Sequence, residues 1–178
     1  MRFYAWPVTE LRGERMVLRP TGPEHVERLR AIRQKPEVMA RWGTVEDDFP
    51  LGDEPTATRF TIFVGDEAAG MLQYTEENEP DYRSAEIDIF LDPGFHNRGL
   101  GPDAMKTVIR HLMEDRGHHR VILSVDADNA QAIRAYEKTG FRRVGLMHLS
   151  GRVPGTTEWK DEYLMERVRS PRTAGLDE

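Results

Sequence analysis

The chain has 178 residues, a length that fits one compact domain. Its hydrophobic residues make up 38% and its charged residues 31%, enough for one core. It contains no cysteine, which excludes disulfides, thiolate metal sites and cysteine nucleophiles. The formal net charge is −6, which argues against a nucleic-acid phosphate surface. No apolar run approaches the roughly 18–20 residues of a membrane span, and residues 1–7 lack a signal-peptide pattern, so no membrane partner and a cytoplasmic location are expected.

In chain order, residues 16–20 read as a short strand ended by Pro20. Residues 25–33 follow as a helix with Val26, Leu29 and Ile32 at helical spacing; Pro36 restarts a second, which carries Val38, Met39 and Trp42 and stops at Gly43. Residues 45–58 hold five carboxylates with no Lys or Arg and read as a loop. Residues 60–64 and 70–74 are β-rich, and Gly65-Asp66-Glu67 between them is hairpin chemistry. Residues 84–91 alternate, with Ala85, Ile87, Ile89 and Leu91 on one side and Glu86, Asp88 and Phe90 on the other. A helix is predicted over 102–116, with Gly117 as its stop. The near-continuous apolar run 120–125 reads as a strand covered on both faces. Asn129 caps a further helix that puts Ala132, Ile133 and Tyr136 on one face and closes at Gly140. Two strands, about 142–148 and 163–168, complete a single α/β domain over 1–168; residues 169–178 are expected to be a flexible tail.

Acidity is concentrated in 45–58 and in 75–92, where seven carboxylates face one Arg. Such runs suit solvated loops, and they equally permit a cationic ligand. His118 and His119 read as a solvated turn, and no histidine set has metal-ligand spacing, so no metal is expected.

The stretch Phe95-His96-Asn97-Arg98-Gly99-Leu100-Gly101-Pro102 joins the alternating strand to the long helix. Glycines let backbone approach an anion, and a helix N-terminus offers unpaired N–H groups and a positive dipole end. A P-loop is excluded because Leu100-Gly101 stands where Lys and Ser or Thr are needed. A dinucleotide fingerprint fails because residues 92–98 separate the glycines from their strand. A phosphate cradle and a plain strand-to-helix turn both remain open on the loop alone.

Arg98-Gly99-Leu100-Gly101 opening a helix, followed by Asn129-x-x-Ala132-x-x-x-Tyr136-x-x-x-Gly140-Phe141, resembles the GNAT superfamily of acyl-CoA-dependent N-acyltransferases. Within it, residues 129–138 and Arg41-Trp42-Gly43 are similar to aminoglycoside 6′-N-acetyltransferases. The resemblance implies a mixed, mostly antiparallel sheet flanked by helices with a splayed central strand pair. It implies acetyl-CoA as cosubstrate, with Phe90 and Leu91 presenting backbone to the pantetheine arm, Arg98, Gly99, Leu100, Gly101 and Pro102 lining the pyrophosphate turn, and Asn129 holding a pantetheine carbonyl. His96 departs from the family's usual Gln or Arg, and Asp103 must face outward to spare the phosphates.

An amine must lose a proton before it attacks. Asp88 matches a carboxylate of the aminoglycoside branch and Glu86 shares its face, so both are candidate bases; each also fits a polar strand edge. Tyr136, by periodicity a core aromatic, becomes through the resemblance a candidate proton donor to the departing thiolate. Trp42, Glu76, Glu77, Glu79 and Asp88 are expected to contact the substrate. The implied activity is acetylation of a primary amine, first of an aminoglycoside, by a monomer or homodimer. The alternatives are a protein N-terminal or small-metabolite amine acceptor, or a non-catalytic acyl-CoA-binding module.

Overall fold

The computed structural model describes residues 9–52 and 56–169; Asp53, Glu54 and most of the expected tail lie outside the described residues. Eight strands form one sheet in the order β1 (Leu11–Arg12), β2 (Val17–Pro20), β3 (Ala57–Val64), β4 (Glu67–Glu77), β5 (Ser84–Leu91), β6 (Arg120–Asp126), β8 (Trp159–Val168) and β7 (Arg142–Arg152). Only β5 and β6 run parallel. Four helices cover the sheet: α1 (Val26–Arg33) and α2 (Pro36–Trp42) on one face, α3 (Leu100–Arg110) and α4 (Ala130–Lys138) on the other.

Strand alternation sorts residues to the two faces. Ala85 and Ile87 of β5 and Val121, Leu123 and Val125 of β6 pack with Ala104, Met105, Val108 and Ile109 of α3 and Ile133 of α4 in the larger core. Phe90 faces the other way, into a smaller core with Leu29 and Ile32 of α1, Val38 of α2 and Met71. Arg33 is buried there, its guanidinium donating to the carbonyls of Trp42, Gly43 and Thr44 and lying 5.3 Å from the Trp42 ring centre. Those bonds offset the desolvation of a charge that would otherwise be costly.

The topology leaves a split. β5 and β6 pair only at Ala85–Val121 and Glu86–Ile122. Beyond that point β5 stays on β4 as far as Leu91, and β6 stays on β8 as far as Asp126. Asp88 and everything after it on β5 therefore border a gap, with strand backbone available for an extended ligand. Gly70 helps set this edge: it pairs with Leu91, and a Cβ there would collide with the Phe90 carbonyl and lie 2.9 Å from the Leu91 Cα.

β3, β4, β7 and β8 run longer than their sequence reading, and three further elements differ from it in kind. α3 ends at Arg110 and passes into a π turn over His111–Asp115. β6 is covered on one face and not on both, because Ser124 looks into the gap rather than a second helix layer. β1 is too short to leave a periodic signal. No helix among the described residues is long and apolar enough to cross a membrane.

Candidate active site

The split widens into a cleft of about 860 Å³ bounded by the ends of β5 and β6, the start of α3, α4 and α2. At one end, Gly99 takes the left-handed conformation (φ 75°) as the residue before α3, turning the chain so that the first helical turn faces the cleft. Gly99, Leu100, Gly101 and Pro102 all line it. A Cβ built on Gly101 meets nothing nearer than Leu91 Cδ1 at 3.7 Å, so the space beside this backbone is an open cradle. Asp103 faces away: its carboxylate accepts from the Glu14 and Arg15 backbone N–H groups at 3.0 and 2.8 Å. The N-terminal turn of α3 thus keeps its positive end for an anion.

Arg98 requires a correction. Its guanidinium lies over the Phe95 ring, 4.9 Å from the centre, and its side chain does not line the cleft. Besides Arg41 of α2, the cations that do are Arg134 and Lys138, one helical turn apart on α4, which the sequence reading missed. The Asn129 side chain caps α4, accepting from Ala132 N–H at 3.2 Å, and Gln131 of α4 donates to Asn97 Oδ1 of the loop at 3.2 Å. His96 Nε2 lies 3.3 Å from the Leu91 carbonyl. Loop backbone, the α3 N-terminus and two α4 cations suit a pyrophosphate-bearing ligand, and Phe90 and Leu91 line the same cleft.

At the other end, Asp88 of β5 faces the α1–α2 side, and Gln73 Nε2 donates to its Oδ2 at 3.4 Å. Tyr136 enters from α4 on the opposite face, packed against Phe141. Burial pushes the Tyr136 phenol up, and the nearby charges of Asp88 and Asp126 push it further, so it stays protonated. Glu86 does not line the cleft; it sits at the narrow end, where burial and the like charge of Asp88 raise it above the ordinary carboxylate range. Trp42 of α2 stands edge-on to Phe90 at 5.1 Å and lines the cleft.

Glu76, Glu77 and Glu79 do not line the cleft. Glu76 points to the α3 side, where Arg116 grips both its oxygens at 3.0 and 2.9 Å and His118 Nε2 lies 2.7 Å from Oε1. Burial pushes its carboxyl up, but those partners outweigh burial and bring it down to about 2. His118, expected in a solvated turn, is fully buried. Glu77 and Glu79 are exposed and bonded to each other's segment, Glu79 N–H donating to Glu77 Oε1 at 2.8 Å.

The carboxylates that line the cleft come instead from four separate elements: Glu37 of α2, Asp88 of β5, Asp126 of β6 and Glu162 of β8. Asp126 is already matched, by Arg41 at 2.8 Å and Lys160 at 2.7 Å. Glu162 is paired opposite it in the sheet and accepts from the Ser150 hydroxyl at 2.9 Å. Only strand register brings them together. Among the described residues no group of His, Asp or Glu could hold a metal ion.

A sequence profile of the acetyltransferase (GNAT) family matches residues 26–141. The spermidine N(1)-acetyltransferase of Escherichia coli (strain K12) is 28% identical over 141 residues, covering 74% of this chain and 75% of that protein. The L-amino acid N-acetyltransferase AaaT of the same strain is 27% identical over 163 residues, covering 86% and 98%. Among solved structures, spermidine N-acetyltransferase from Vibrio cholerae in complex with CoA and spermine matches with a TM-score of 0.76 at 19% identity, covering 88% of this chain and 96% of that one. This last is a likeness of fold.

Proposed function

Because the chain belongs to the acetyltransferase (GNAT) family, and is on that ground an acetyl-CoA-dependent N-acetyltransferase, we propose that its acceptor is the primary amine of a small molecule and that Asp88 and Tyr136 carry the two proton transfers. One observation supports this most: both side chains reach the same gap from opposite faces of the sheet, close enough for the Asp88 charge to act on the Tyr136 phenol.

Acetyl-CoA supplies the thioester, lying along β5 with its pyrophosphate at the start of α3. The acceptor enters as an ammonium between Trp42 and Asp88. Asp88 takes the proton, and the freed nitrogen lone pair forms the C–N bond as the C–S bond breaks. Tyr136 gives its proton to the leaving sulfur, the new amide nitrogen passes its second proton through solvent to the tyrosinate, and Asp88 releases the first to solvent. No covalent acyl-enzyme is involved.

An aminoglycoside 6′-amine is one acceptor of this kind, and polyamines and amino acids are others. The case for an aminoglycoside loses its first motive once Glu76, Glu77 and Glu79 lie away from the cleft. The relatives named for spermidine and for L-amino acids bring those two classes forward. The test is CoA release measured against aminoglycosides, polyamines, amino acids and short peptides. Turnover of at least one primary amine is expected. Binding of acetyl-CoA without CoA release from any of them, even in a single turnover, would make the protein a non-catalytic acyl-CoA binder.

A further inference from the structure

We propose that a second pocket, opening beside the acceptor end of the cleft, holds a carboxylate of the acceptor, with Arg152 as the residue that recognises it; the substrate is then an amino-carboxylate rather than a bare polyamine. This rests on the N-acetyltransferase reading above and narrows it.

The pocket has a volume of about 480 Å³. One wall is the end of α2 and the chain after it, Arg41 to Thr44; the other is the turn between β7 and β8, Arg152 to Thr156. Arg41 and Trp42 line this pocket and the main cleft alike, so one acceptor can reach both.

The two spaces carry opposite charge. Asp88, Glu37 and Glu162 line the cleft, and Asp126 there is neutralised by Arg41 and Lys160. No carboxylate lines the second pocket, whose charged residues are Arg41 and Arg152. Arg41 is already committed, its Nη1 lying 2.8 Å from Asp126 Oδ2 and 2.6 Å from Asp128 Oδ1. Arg152 makes no ion pair or side-chain hydrogen bond among the described residues. It is the uncompensated cation of this wall, and the Thr44 hydroxyl stands on the facing wall without a partner there.

A guanidinium matches a carboxylate through two parallel N–H donors. The second ammonium of a polyamine entering this pocket would meet two arginines and no counter-charge, which is selection by repulsion as well as by attraction. The arrangement is therefore bipolar: an ammonium at Asp88 and a carboxylate at Arg152. Arg152 contacts substrate away from the reacting atoms, so it sets specificity and leaves the chemical step to Asp88 and Tyr136.

The experiment compares kcat/KM, by CoA release, for acceptors that differ only in the carboxylate. The pairs are α-amino acids against their decarboxylated amines, and β-alanine and its longer homologues against alkylamines of equal chain length; spermidine is the carboxylate-free control. In the wild type the carboxylate should raise kcat/KM about 10- to 100-fold. Arg152→Gln should bring the pairs to near parity through KM for the amino-carboxylates, leave monoamine alkylamines unchanged and raise kcat/KM for spermidine as the repulsion is relieved, and Arg152→Lys should keep part of the preference. CoA release from alkylamines and spermidine with no advantage from the carboxylate overturns this proposal alone. So does an Arg152→Gln enzyme that slows every acceptor alike. Silence from every amine, spermidine included, overturns the acetyltransferase reading and this one with it.

Discussion

Glu76 and Asp88 lie on neighbouring strands of one sheet, and chain composition gives no reason to treat them differently. Glu76 falls on the α3 side at the closed end of the sheet, where Arg116 and His118 take up its oxygens. Asp88 falls on the α1–α2 side just past the last rung between β5 and β6, where the sheet opens. The first carboxylate joins strand to helix and the second faces a cleft. A carboxylate surrounded by cations has its charge spent on structure, whereas one at the mouth of a split can meet an incoming ammonium. The difference is one of strand register and sheet opening, not of residue type.

The comparison breaks most severely at Asp88. Asp88→Asn should lower kcat/KM for the acceptor about 10²- to 10⁴-fold with an unchanged melting temperature, and Tyr136→Phe should lower kcat while sparing acetyl-CoA affinity. Steady-state kinetics beside thermal denaturation checks both. An Asp88→Asn enzyme with wild-type kcat/KM would make Asp88 a polar strand edge.

Glu76→Gln should do the opposite, costing on the order of 3 kcal/mol of stability while each folded molecule keeps its activity. The folded carboxyl at about 2 lies below its usual value of 4.5. Its contribution is therefore complete above about pH 4.5 and is lost as pH falls toward 2. Denaturant melts of wild type and variant should accordingly converge in that window; melts that stay parallel down to pH 2 would show that Glu76 contributes nothing through ionisation.

Gly101→Val, at a position with open space on its cleft side, should weaken acetyl-CoA binding about tenfold without changing the fold. Isothermal titration with an unchanged Kd would move the pyrophosphate elsewhere. The smallest effect is expected at the acidic segment: Glu77→Gln with Glu79→Gln should leave the acceptor KM within about twofold of wild type across a salt series, because exposed charges outside the cleft are screened within about 8–10 Å. A clear rise in KM would return that segment to the acceptor.

Much of this was legible in the sequence because it depends on neighbours along the chain. Alternation in residues 84–91 placed Asp88 opposite Ile87 and Ile89, Gly99 and Gly101 marked the turn into α3, and Asn129 with Tyr136 fell on one helix at cap and cleft positions. Local geometry alone is enough for such features, since strand period, helix period and capping are short-range. Charge runs misled for the complementary reason: a count of carboxylates along the chain does not say which face of a sheet each occupies or what meets it there.

Seven of the eight strands, the four helices, their order and the motif-bearing loop were thus set by the amino-acid sequence read by itself. Tertiary structure decided the rest. It buried His118 against Glu76, brought Arg134 and Lys138 to the cleft, and gathered Glu37, Asp88, Asp126 and Glu162 along its walls. Each depends on pairing between strands and helices distant along the chain: a side chain's charge is written in its residue type, but its partner is chosen by whatever the fold brings within reach.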